Sequence, residues 1–382
     1  MGKIYTAMGL MSGTSLDGID VSIIESDGNR EFLPIYDKYF EYDEELTNKI
    51  LKIREKITNT EDLNSYSDEI KDLERDITLF HVEAVKKTLE ISKLSVDIIG
   101  FHGQTIFHNP ETKTTKQLGD GRLLSQLTKK KVVYNFRQND LENGGQGAPL
   151  TPIFHNVLAN KINKKFKVEF PINILNIGGI ANITITSDWN DLWISNKLYA
   201  YDVGPGNCLI DEWIRKNSKK KYDNEGLLAK SGKTDKLVLN QALENFTENF
   251  DYNKSLDTKD FSIFFAKGLS LENGAATITD FTAAFIANGM SYAQSLSKKR
   301  IYKWLVCGGG RKNEYLLESI KDNFEQKINI DPIDIYEMNG DFIESQAFAF
   351  LAIRSLENVP ISFPSTTRCK KPLTGGTIVE NF

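Results

Sequence analysis

The opening of the chain alternates between apolar runs and small polar turns. An apolar run from Ile4 to Met11 predicts a strand, and the alternating segment from Ile19 to Glu25 predicts a second. Between them lies Ser12-Gly13-Thr14-Ser15-Leu16-Asp17-Gly18, a hairpin turn. Phe32 to Tyr42 predicts a third strand. From about 43 to 93 the segment is charged, with apolar residues at helical spacing, and predicts two helices, the second long. Val96 to Phe101 predicts a short buried strand ending in His102-Gly103-Gln104-Thr105. Lys131 to Phe136 predicts another.

The pattern then repeats its plan. After the glycine-rich 143–150 loop and a helix from about Pro152 comes Ile172 to Thr184, again strand, Gly178-Gly179 turn, strand. Leu198 to Val203 predicts a strand running into Asp202-Val203-Gly204-Pro205-Gly206-Asn207, with a helix from Cys208. The charged tract up to about 267 predicts surface helix and loop. Ile278 to Ser295 predicts a helix. Trp304 to Cys307 predicts a strand that ends in Gly308-Gly309-Gly310-Arg311 and leads to a helix at Asn313. A strand is expected at Ile333 to Tyr336 and a last helix from Asp341, with two acids in its first turn. The tail from Val359 shows little core character.

Composition narrows the class. With 382 residues, two domains are expected. Hydrophobic residues make up 40% and charged residues 26%, as in a globular protein. The formal net charge of −5 offers no basic face for nucleic acid. Cys208, Cys307 and Cys369 are far apart and form neither a C-x-x-C pair nor a disulfide framework, which fits a reducing compartment. No apolar run approaches the roughly 20 residues of a membrane span, and no signal peptide is evident, so a cytoplasmic location without membrane contact is expected.

Candidate chemistry sits in the turns. Gly13 and Gly18 leave backbone N–H groups uncovered, Thr14 and Ser15 add hydroxyls, and Asp17 and Asp20 add carboxylates that could hold hydrated magnesium. Such a loop suits a polyphosphate, and equally an ordinary Gly/Ser turn. His102 and Gln104 stand where α/β proteins place ligand contacts, and His102 equally suits a plain turn histidine. Asp202 beside Gly-Pro-Gly suits a catalytic carboxylate or a plain turn. The 226–234 segment has five residues between its glycines and is not a Walker A loop.

Eight stretches carry a resemblance: GLMSGTSLDGID, GFHGQT, NFRQND, GGQGAPL, LNIGGIANIT, YDVGPGN, CGGGRKN and ESQAFA, running in order from Met8 to Phe350. In these the chain closely resembles the anhydro-N-acetylmuramic acid kinases, within the actin, Hsp70 and hexokinase superfamily. The resemblance implies duplicated α/β, ribonuclease H-like domains with a central cleft, divided as 1–138 with 356–382, and 139–355. It implies an ATP- and magnesium-dependent kinase that opens 1,6-anhydro-N-acetylmuramic acid with water and phosphorylates O6, acting in peptidoglycan recycling, and a homodimer. Gly13, Thr14, Ser15, Leu16, Asp17, Gly18, Ile19 and Asp20 would line the ATP phosphates, with Asp17 near magnesium through water. Gly178 and Gly179 would close on the phosphates, and Gly308, Gly309, Gly310 and Asn313 would lie by the adenosine. His102, Gln104, Arg137 and Glu344 would face the sugar, and Asp202 would be the general base. Val203 departs from the family's usual Thr, which puts the hydrogen bonding beside Asp202 in question. A kinase for another small sugar, and a non-catalytic nucleotide-switched protein, are the competing expectations.

Overall fold

The computed structural model describes residues 2–13, 16–189, 198–247, 250–297, 301, 303–324 and 328–382. Thr14 and Ser15 of the opening turn lie outside the described residues. The chain forms two compact units, Met1–Leu158 with Phe342–Phe382, and Ala159–Asp341. Residues 139–158 and 342–355 thus belong with the first unit, not with the second as expected. Aromatic packing gives the reason: Phe154 lies edge-on to Phe32 at 4.8 Å and 5.5 Å from Phe350, all within the first unit.

Among the described residues the first unit holds a seven-stranded sheet. Its strands are β1 (Tyr5–Ser12), β2 (Gly18–Ser26), β3 (Phe32–Glu41), β4 (Ile98–Asn109), β5 (Thr114–Leu118), β6 (Lys131–Tyr134) and β12 (Thr377–Val379). The order is β12-β6-β4-β1-β2-β3, with β5 paired to β4. β1 to β3 form an antiparallel meander, and β4 and β6 run parallel to β1. The second unit holds β7 (Ile172–Ile177), β8 (Ile180–Ile185), β9 (Tyr199–Pro205), β10 (Lys303–Cys307) and β11 (Asn329–Pro332), in the order β11-β10-β7-β8-β9. Here too a three-strand meander is followed by two strands parallel to its first member. Five strands match in order and direction, β6-β4-β1-β2-β3 with β11-β10-β7-β8-β9, while β5 and β12 extend the first sheet: this is the duplicated α/β plan that the resemblance implies.

Glycine sets the packing of the first unit. Gly9 of β1 and Gly100 of β4 are register partners. A Cβ on Gly9 would lie 1.8 Å from the Ser345 carbonyl oxygen, and one on Gly100 would lie 2.1 Å from that of Phe348. The Ile343–Leu356 helix therefore rests its backbone on a strip of sheet without side chains. That close seat explains why the helix is buried almost all round.

Several expected elements differ. β4 does not stop at Phe101: Gly103, at φ +75°, redirects the strand and 104–109 pair back with β5. The 43–93 segment folds as Glu44–Lys56 and Ser67–Ser92, with a one-turn helix, Asp62–Ser65, between them. The Leu271–Leu296 helix starts about two turns early because Ser270 caps it, accepting from Asn273 N. Ile333–Tyr336 is a 3-10 turn rather than a strand; the parallel ladder ends at Pro332, which has no N–H to donate. Asp341 precedes the last helix and pairs with Arg311 instead, leaving Glu344 as the acid of the first turn. The tract before 267 is more than surface, since Ala229, Ala242, Phe261, Ile263 and Ala266 enter a core cluster with Phe281 and Phe285. The tail also has core character: Ile361, Cys369 and Leu373 are buried and β12 pairs with β6.

Candidate functional site

In the first unit the opening turn joins β1 to β2. Leu16 takes a left-handed backbone, φ +60°, and buries its side chain, while the Asp17 side chain is exposed. Gly13 is half-buried. Gly18 and Ile19 are buried at the start of β2, and Asp20 is half-buried opposite Met11. The turn is tied to β4 by a hydrogen bond from Gln104 Nε2 to Gly13 O at 3.0 Å. Gln104 is fully buried, and its Oε1 finds no acceptor role among the described contacts. Among the described residues no three His, Cys, Asp or Glu side chains cluster to cage a metal. The exposed Asp17 carboxylate suits magnesium held mainly by phosphate oxygens and water, the usual mode for this ion.

His102 and Arg137 are brought together. Arg137 Nη2 donates to His102 Nε2 at 2.9 Å, and Nη1 donates to Gly147 O at 2.8 Å. His102 Nδ1 donates to Gly103 O at 2.7 Å, which fixes the tautomer. Burial, then the Arg137 charge, hold the His102 pKa well below its ordinary value, so the ring is neutral. The ring packs on Phe348 at 4.5 Å. Asp140 fastens the glycine-rich loop beside them, accepting from Gly147 N at 2.7 Å and Thr367 Oγ1 at 2.6 Å. Glu344, half-buried, stands in the first turn of the helix seated on Gly9 and Gly100. Its neighbours Ser345 and Gln346 anchor that turn: Ser345 Oγ bonds Ser22 Oγ at 2.6 Å, and Gln346 Nε2 donates to Asp37.

In the second unit three glycine turns converge on Ile177. Gly206 N donates to Gly179 O at 2.9 Å and Asn207 N to Gly178 O at 2.7 Å. A Cβ on Gly308, which has φ +79°, would meet Ile177 O at 2.6 Å, and one on Gly310 would meet the Ile177 side chain at 2.2 Å. The Gly178–Gly179 and Gly308–Gly310 turns are thus neighbours, with Gly309 exposed between two tight contacts. Arg311 supports the late turn from below. It is buried, donates to Asp334 through Nε (2.7 Å) and Nη2 (2.9 Å), to Asp341 through Nη1 (2.6 Å), and to Gly308 O at 3.1 Å. Burial alone would lower its pKa; the two carboxylates outweigh that and keep it charged. Asn313 spends its side-chain oxygen on the helix it opens, accepting from Leu316 N at 2.9 Å, so it is first an N-cap.

Asp202 lies on β9, 6% exposed, opposite Asn182. Its Oδ2 accepts from Leu256 N at 2.9 Å and from Ser255 Oγ at 3.4 Å, contacts that no sequence pattern announced. The departure at Val203 concerns packing: its side chain is fully buried in the core around Ile183, and a Cβ on Gly289 would meet its Cγ1 at 2.3 Å. Alternation along the strand turns Val203 away from the face that carries Asp202.

The model of the anhydro-N-acetylmuramic acid kinase family matches residues 5–381. A protein of Pelagibacter ubique (strain HTCC1062) named anhydro-N-acetylmuramic acid kinase is 51% identical, with 100% of each chain covered. Proteins of the same name from Zymomonas mobilis subsp. mobilis and Rhodospirillum rubrum are 40% and 38% identical, covering 97% of this chain and 99% and 93% of theirs.

Proposed function

The chain belongs to the anhydro-N-acetylmuramic acid kinase family, and from that premise we propose how its residues carry the reaction. The enzyme converts 1,6-anhydro-N-acetylmuramic acid, ATP and water to N-acetylmuramic acid 6-phosphate and ADP, a step of peptidoglycan recycling. Water adds to C1, the C1–O6 bond breaks, and O6 bonds the γ-phosphorus as ADP departs. Identity at 51% over both full chains is the observation that carries this reading.

Asp202 takes the proton of the attacking water. Its support is a buried carboxylate oriented by an amide and a hydroxyl, in the middle of a strand whose last residue, Pro205, pairs with Ile180 beside the Gly178–Gly179 turn. The Gly13–Asp20 turn and the Gly178–Gly179 turn offer amides to the phosphates. Magnesium, near Asp17, would neutralise phosphate charge. Gly308, Gly309 and Gly310 lie along the adenosine, with Asn313 shaping the turn by its cap. On the sugar, the Arg137 guanidinium fork is the partner of the lactyl carboxylate. His102 holds that fork in place, Gln104 presents its buried Oε1, and Glu344 accepts from hydroxyls. ATP use and three cysteines far apart in the sequence support a cytoplasmic location. Among the described residues no helix is long and apolar enough to cross a membrane. A homodimer is proposed from the family resemblance, and analytical ultracentrifugation tests it. The assay for Asp202 is sugar-6-phosphate formation by Asp202→Asn: wild-type kcat in that variant would remove it from the base's role.

A further inference from the structure

We propose that Tyr39 is a positioning residue for the nucleotide, acting through the backbone of the opening turn; the inference rests on that turn binding phosphate. The turn's carbonyls face donors from the surrounding protein. Gly13 O accepts from Gln104 Nε2 at 3.0 Å and Leu16 O from Thr47 Oγ1 at 3.3 Å. Asp17 O accepts twice, from Tyr42 N at 2.9 Å and from the Tyr39 hydroxyl at 2.8 Å. A trans peptide points its N–H opposite to its C=O. Holding the Leu16 and Asp17 carbonyls toward the protein therefore holds the Asp17 and Gly18 N–H groups toward the other side, the arrangement an anion needs.

Tyr39 is placed for this by more than one bond. It stands on β3 as the register partner of Asp20, with its ring lying over Gly18. A Cβ at Gly18 would meet Phe40 O at 2.3 Å and the Tyr39 ring and hydroxyl at 2.7 Å, so glycine is needed there both for the strand to pair and for the tyrosine to reach across. Tyr42 closes the turn from its other end. Besides its N–H on Asp17 O, its hydroxyl bonds Ser12 Oγ at 2.9 Å. Ser12 in turn reaches His81 Nε2 at 3.2 Å, and His81 Nδ1 donates to Ile77 O at 2.8 Å. This buried chain makes the base of the turn rigid and leaves Tyr39, 40% exposed, as the strut that can be removed without opening the core.

The test is Tyr39→Phe in the full chain, measured by calorimetric binding of magnesium ADP, by KM for ATP and for the sugar, and by thermal melting. Phe keeps the ring over Gly18 and removes one donor. A neutral hydrogen bond contributes about 0.5–1.5 kcal/mol, so ADP affinity should fall about two- to tenfold. KM for ATP should rise to match, with the sugar KM and melting temperature unchanged. Unchanged ADP affinity overturns the proposal, as does a parallel rise of both KM values with a lower melting temperature, which marks a merely structural residue. Asp17→Asn separates the two levels: wild-type magnesium ADP affinity in that variant removes the turn itself from the phosphate site.

Discussion

Arg137 Nη2 and His102 Nε2 meet at 2.9 Å, and the other imidazole nitrogen is spent on Gly103 O. A histidine expected to face the sugar thus has both ring nitrogens engaged with the protein. Its part is to aim a guanidinium. Removing it should cost what a hydrogen bond to a charged group contributes, about 1.5–3 kcal/mol. His102→Ala is expected to raise the sugar KM about 10- to 100-fold with the KM for ATP unchanged. His102→Gln, which restores an acceptor, should recover part of the loss. Steady-state kinetics on both variants check this, and equal effects on the two substrates would contradict it.

Buried histidines give the protein a defined response to acid. Burial lowers the pKa of His81 to about 4 and that of His155 to about 3, and His102 is lowered too. The unfolded chain binds these protons near pH 6.5, the folded chain only well below. Their stabilisation is therefore complete above about pH 6.5 and lost as pH falls toward the folded values. His81 alone should remove about 2 kcal/mol between pH 7 and pH 5. Urea unfolding at those two pH values measures it, and a flat profile would show that these rings are protonated in the folded state.

Gly9→Ala forces a methyl into the Ser345 carbonyl, a backbone atom that cannot step aside. The Ile343–Leu356 helix must lift from the sheet, at a cost of about 1–3 kcal/mol or more. Because Glu344 rides on its first turn, the sugar KM should rise along with the lower urea midpoint. Wild-type stability in this variant would mean the helix is not seated as described.

Arg311→Met leaves Asp334 and Asp341 without their common partner beneath the Gly308 turn. Full burial would put the cost near 3–5 kcal/mol. Both carboxylates keep solvent access, so about 1–3 kcal/mol is expected, together with a raised KM for ATP. Denaturant titration and kinetics test the two parts separately.

Much of this was legible where the signal is local. Apolar runs punctuated by glycine located β1, β2, β7, β8 and β10, and with them the glycine turns. What stayed hidden depends on partners distant in sequence. Nothing local tells that Gly9 and Gly100 sit side by side to seat a helix from beyond residue 340, or that Thr377–Val379 completes a sheet. Tyr39 looked like any strand tyrosine, and the hold on Asp202 comes from a backbone amide, which no side-chain motif encodes. Pro332 did carry a local mark, since a proline ends a ladder, and it moved the strand forward by four residues. Asn313 before Glu314 also carried one, that of an N-cap.

The reaction couples phosphorylation to hydrolysis, and one experiment addresses both halves. The purified protein is incubated with 1,6-anhydro-N-acetylmuramic acid, magnesium ATP and water enriched in heavy oxygen, and the product is analysed by mass spectrometry. The expected product is N-acetylmuramic acid 6-phosphate with the heavy oxygen at C1 and ordinary oxygen at O6. A phosphorylated product with no label at C1, or no phosphorylated sugar at all, would contradict that coupling.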